Sequence, residues 1–181
     1  MRKLITCLLA LVTALAVALP STSLARPKMK TLGEDPSTDA PPALDLTYLQ
    51  AGADRKNLEI RIGIANMLPV IGGYPEAPGI EWLFKSGSRT FLAEAYVGNL
   101  EGTYLLFEFY KDGTYEQVGT LEGTYDPNDG YISMLVPLKS IAAKRGTKIS
   151  GAGENDADAH IHHAGTTYTD YITTTKGIVV P

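Results

Sequence analysis

From position 44 onward the apolar residues recur every second position, and no stretch of that length sustains a helical period of 3.6. Leu58, Ile60, Ile62 and Ile64 alternate with Glu59, Arg61 and Gly63. Ile80, Trp82 and Phe84 alternate with Glu81, Leu83 and Lys85. Side chains of an extended chain point to opposite faces in turn, so this spacing describes strands with one buried and one wet face. The punctuation agrees. Gly87-Ser88 turns the second run into Phe91-Ala93-Ala95-Val97, and Asp112-Gly113 joins Tyr104–Tyr110 to Tyr115–Leu121. Asp-Gly between two apolar runs is a strong hairpin signal. Asp126-Pro127-Asn128-Asp129-Gly130 turns into Tyr131–Pro137, where Ile132, Met134 and Val136 are the inward set.

The triplet Gly-Thr-Tyr recurs at positions 102, 113 and 123, roughly one strand and turn apart. Short strands at that spacing predict an antiparallel β-sandwich of about 8–10 strands, of the immunoglobulin or jelly-roll kind. Tyr104–Tyr110 is apolar in both phases, which predicts a central strand covered on both sides. The segment Tyr115–Leu121 is expected at a sheet edge. Leu138–Ala143 is expected to form one helical turn, and Lys148–Gly151 and Gly177–Val180 to close the β structure.

The first 25 residues read differently. Arg2 and Lys3 precede an apolar run from Leu4 to Leu19, Pro20 ends it, and Ser23-Leu24-Ala25 supplies small residues at a cleavage site. This is the three-part pattern of a secretory signal peptide, with cleavage after Ala25 and export of the remainder. The run is shorter than the roughly 20 residues of a membrane span. Residues 26–42 hold Pro27, Pro36, Pro41 and Pro42 among polar residues and are expected to be a flexible spacer, leaving 43–181 as a single domain.

Export fixes which totals matter. The first 25 positions hold two of the 16 basic and none of the 20 acidic residues, so 14 basic against 20 acidic residues leave a net charge of −6. An acidic surface excludes nucleic acid as a partner and disfavours adhesion to anionic lipid. The only cysteine, Cys7, falls in the leader, so the domain is held by its core without disulfides. The absence of any Asn-x-Ser/Thr acceptor and the Ala-rich leader point to a bacterial source.

Several blocks carry a family resemblance: Leu44-Asp45-Leu46-Thr47, Asn57–Ile62, the aromatic strand at Trp82 and its partner Phe91–Val97. Gly123-Thr124-Tyr125-Asp126, Gly130-Tyr131-Ile132, Val136-Pro137-Leu138 and Ala143–Ile149 follow in the same order. Over Leu44–Tyr171 the chain resembles the DOMON-like β-sandwich group, which is similar in fold to family-9 carbohydrate-binding modules. The resemblance implies a non-catalytic extracellular module that binds a glycan or a protein surface, or haem in cytochrome members.

Three kinds of site are open on the residues themselves. All three histidines lie in Glu154–His163, and an extended chain would project Asp156, Asp158, His160 and His162 from one face. Imidazole with carboxylate suits zinc, whereas the carboxylates with Asn155 and carbonyls of the Gly151–Gly153 turn suit calcium. A glycan face would use Tyr96, Tyr104, Tyr115 and Tyr125 in place of a tryptophan pair, since Trp82 stands alone and on the apolar phase. Haem would need Met67 with one of the histidines. No nucleophile elbow, cysteine nucleophile or metalloprotease helix motif occurs, and the chain is expected not to be an enzyme.

Overall fold

The computed structural model describes residues 27–36, 38–41, 44–67, 79–98, 101–163 and 166–181, with backbone alone at 98, 101, 161–163 and 166. The leader and its cleavage site at Ala25 lie outside the described residues. Among the described residues thirteen strands follow in chain order: β1 (Lys30–Glu34), β2 (Leu46–Ala53), β3 (Asn57–Ile64), β4 (Gly79–Ser86), β5 (Arg89–Gly98), β6 (Glu101–Phe109) and β7 (Tyr115–Thr120). Then come β8 (Glu122–Asp126), β9 (Tyr131–Pro137), β10 (Lys148–Gly151), β11 (Ala157–His163), β12 (Thr166–Ile172) and β13 (Gly177–Val179).

The expected all-β sandwich is found: two antiparallel sheets pack on each other and do not close into a barrel. The smaller sheet runs β1-β2-β3-β9-β8. The larger runs β12-β11-β4-β5-β6-β7, with β10 and β13 paired in turn beside β4. The count exceeds the sequence estimate; β10 and β13 lie where Lys148–Gly151 and Gly177–Val180 were expected to close the β structure, whereas the five-residue β1 falls in the segment read as a spacer.

The core is the inward phase of both sheets. Leu58, Ile60, Ile62, Ile132, Met134 and Val136 face Ile80, Trp82, Phe84, Phe91 and Leu106, all fully buried. Trp82 fits because Ala93 and Ala157 are its direct neighbours on the flanking strands, leaving room for the indole. Its ring stacks on Phe84 at 4.8 Å between centroids. Leu46 and Leu49 are both buried although three apart, because a bulge at Leu46–Tyr48 resets the phase. The turns use the chemistry their residues suggest. Asp54 Oδ1 accepts from the N–H groups of Lys56 and Asn57, and Asp126 Oδ1 from those of Asn128 and Asp129.

Three expectations change. The segment read as a spacer contributes β1, which pairs with β2 and places Leu32 in the core with no exposure; one leucine among prolines gave no period. Leu138–Ala143 forms overlapping turns without a helix, with Ala142 at φ 50°. β6 is not covered on both faces. It is next to the edge strand β7, and its outward Phe107 and Phe109 are half-buried beneath Tyr115, whose ring lies 6.0 and 5.3 Å from theirs. The edge position expected for Tyr115–Leu121 is where β7 lies.

Candidate functional site

The outward phase of the large sheet gathers a row of ionisable groups on β11, β4 and β5. The β4–β5 hairpin turns at Gly87, with φ 62°, and pairs Ser86 with Arg89. That register sets Glu81 directly opposite Glu94 and Gly79 opposite Tyr96. β11 docks on the other edge of β4, pairing Asp158 with Glu81 and His160 with Gly79. Two adjacent cross-strand rows result: Asp158, Glu81 and Glu94 in one, His160, Gly79 and Tyr96 in the next.

Like charges directly opposite each other repel, so a row of three carboxylates needs a proton or a cation to be tolerable. Within the protein, protons do this. Burial, then the hydrogen bond and charge of Asp158, push the Glu81 carboxyl up to about 8, so it is protonated at neutral pH. His160 Nδ1 lies 3.0 Å from Asp158 Oδ2, and that contact raises the imidazole above its ordinary value. The Tyr96 phenol, bonded to Glu94, is pushed up to about 12. One donor atom each from Glu81, Asp158 and His160 lies within 4.8 Å of the others.

Gly79 makes the cluster possible. A Cβ there would sit 2.6 Å from both Cε1 and Nε2 of His160, so the imidazole lies against bare backbone. The β11 alternation turns Ala157 and Ala159 into the core and leaves Asp158 and His160 on the outer face.

Of the four metal-site candidates, Asp158 and His160 come together. Asp156 does not join them. Between β10 and β11 the chain bulges away from β4: Leu83 C=O accepts from Ala152 N–H, and Leu83 N–H donates to Asp156 C=O. Asn155 adopts φ 53° in this excursion, and the Asp156 carboxylate turns inward, 2% exposed. There it accepts hydrogen bonds from Thr174 N–H (2.8 Å) and Thr174 Oγ1 (2.5 Å). His162 continues β11 opposite Thr167, and its side chain lies outside the described residues.

The four tyrosines do not share a face. Tyr96 and Tyr115 are on the outside of the large sheet, 38% and 63% exposed. Tyr104 points inward, its ring lying across Gly102 and Gly123, and Tyr125 is half-buried on β8 of the other sheet. Tyr171, opposite Asp158, is an exposed ring beside the cluster that the sequence reading passed over. Met67 is in the core while His160 is on the outer face, so these two do not frame a haem pocket.

Sequence reasoning missed Glu81 and Glu94. The signal was present: a two-residue turn at Gly87-Ser88 pairs positions whose numbers sum to 175, which puts the two glutamates face to face.

No protein-family model, curated protein or solved structure matches this chain.

Proposed function

We propose that the protein is an exported, non-catalytic binding module, and that the ligand its geometry suits best is a divalent transition metal held by Glu81, Asp158 and His160. The observation that carries this reading is the convergence of one imidazole and two carboxylates within 4.8 Å on neighbouring strands. Mixed nitrogen and oxygen donors suit zinc better than calcium. A tetrahedral zinc would draw the donors to about 3.4 Å apart and take the place of the protons that now reconcile the carboxylates. Strands β4 and β11 are hydrogen-bonded neighbours, so the site rests on rigid backbone.

The experiment is calorimetric titration of the protein with zinc chloride. The wild type is expected to bind one zinc, and the Asp158→Ala/His160→Ala double variant to lose at least tenfold in affinity. Because both side chains lie on the outer face and outside the hydrophobic core, the double variant is expected to keep the wild-type far-ultraviolet circular dichroism. Equal affinity in the two proteins, or no zinc binding by the wild type, would sink the proposal.

A second reading keeps the same face and changes the ligand. Exposed Tyr96 and Tyr171 flank the carboxylates on either side, an arrangement that would let a glycan stack on rings while its hydroxyls bond the acids. Retarded migration in polysaccharide gels, abolished by Tyr96→Ala and Tyr171→Ala, separates this reading from the metal.

A further inference from the structure

We infer that Asp35, Asp39, Asp45 and Asp170 form a second, all-oxygen cation site, for calcium, which pins the β1–β2 connection of the small sheet to β12 of the large sheet. This site shares no residue with the zinc proposal and stands independently of it. Asp35 follows β1, Asp39 lies in the connection, Asp45 immediately precedes β2, and Asp170 lies on β12. The two ends belong to different sheets, which the strand ladders leave unjoined here.

One carboxylate oxygen from each of Asp35, Asp39 and Asp170 lies within 4.8 Å of the others. Asp170 is 5% exposed and already placed by backbone: Oδ2 accepts from Leu46 N–H at 2.6 Å and Oδ1 from Tyr171 N–H at 2.8 Å. Each of its oxygens therefore keeps a lone pair for a further partner.

The independent sign of a missing ligand is Asp45. It is 2% exposed, and its Oδ1 is buried with no hydrogen-bond partner. Asp45 lies beside the cluster, because the N–H of its neighbour Leu46 donates to Asp170 Oδ2, and the charges of Asp170, Asp35 and Asp39 bear on its carboxylate. Among the described residues, Asp39, Asp45 and Asp170 form no ion pair. A buried carboxylate without a partner is costly, and carboxylates stacked around it make the cost larger. A cation removes both penalties together.

The donor set selects the ion. All donors are carboxylate oxygens, with no nitrogen or sulfur, which favours a hard cation over zinc or copper. Calcium binds oxygens at 2.3–2.6 Å, so ligands on opposite sides of it stand about 5 Å apart, and the observed spread fits inside that span. Magnesium demands a tighter octahedron and holds its waters, which suits this spread less well.

The test is thermal melting of the protein in chelator, then with calcium or magnesium chloride added at millimolar concentration. Calcium is expected to raise the melting temperature by several degrees, since an ion that binds only the folded state stabilises it, and magnesium to do markedly less. Asp45→Asn removes one buried charge at constant shape. In chelator that variant is expected to melt at or above the wild type, and to lose most of the calcium response. Glu81→Ala is expected to keep the calcium response in full. A wild type indifferent to calcium, an equal response to magnesium, or an Asp45→Asn variant that still responds like the wild type would overturn the assignment.

Discussion

Asp156→Ala is expected to lower the free energy of unfolding by about 3 kcal/mol in urea denaturation at neutral pH, and Asp156→Asn by about 1 kcal/mol. The carboxylate is a junction. It takes the N–H and the hydroxyl of Thr174, in the segment between β12 and β13, and so ties that segment to the bulge where β10 passes into β11. The indole N–H of Trp82 faces the same carboxylate without reaching hydrogen-bond geometry. Removing the acceptor strands a half-buried N–H and a half-buried hydroxyl, and each stranded group costs on the order of 1–3 kcal/mol. Burial acts the other way: it raises the carboxyl above its ordinary value, so deleting the charge recovers part of the loss. Asparagine keeps one accepting oxygen without the charge, hence the smaller effect. The packing leaves no slack either, because a Cβ at Gly151 would collide with the Asp156 carboxylate and with Thr174 Oγ1. The same variant separates structure from ligand binding: Asp156→Ala is expected to bind zinc as tightly as the wild type. A stability change under 0.5 kcal/mol would show that water satisfies Thr174 in its place and that the junction is not what holds the bulge.

How far these sites could be read ahead of the structure depends on where the pairing information lives. Period-two alternation decides which face a residue takes within a strand, and it put Trp82, Phe84, Phe91 and Ile132 in the core. A tight turn decides register, so Glu81 opposite Glu94 was within reach of the sequence. The placement of Asp158 beside Glu81 was not. It depends on β11 docking at the far edge of β4 after more than seventy intervening residues, and no local signal selects that edge. Asp156 failed for another reason. Its position number has the same parity as Asp158 and His160, but the excursion at Ala152–Asp156 breaks the alternation just before β11 begins. Tyr104 failed because two glycines, Gly102 on its own strand and Gly123 on β8, clear space for an inward ring. The aspartate cluster was invisible because Asp170 joins the three aspartates of the β1–β2 connection only when the two sheets pack.

In chelator the protein is expected to lose stability as pH rises from about 5 to about 9, with Glu81 as the main cause. Its carboxyl is pushed up to about 8 from an ordinary 4.5, first by burial and then by Asp158 and Glu94. A carboxyl raised in the folded state holds its proton more tightly there than in the unfolded chain. Its contribution is therefore complete below the unfolded value and disappears as pH climbs through the folded one, a window from about 4.5 to about 8. His160 slopes the same way. Its bond to Asp158 raises it above 6.5, so its contribution is complete below that value and fades above it. The charges facing Glu81 are Asp158, Glu94 and His160, and deprotonation would leave three carboxylates against one fading imidazolium. With solvent screening at a half-buried position, the loss across this window is roughly 2 kcal/mol. Glu81→Gln is the decisive variant, because its amide can donate to Asp158 as the protonated acid does and cannot ionise. In chelator its melting temperature is expected to stay nearly level from pH 5 to 8, with only the shallower His160 slope remaining, while the wild type falls by several degrees. A wild-type profile as level as that of the variant would mean that Glu81 is already ionised at neutral pH. The proton would then not be what reconciles Glu81, Glu94 and Asp158.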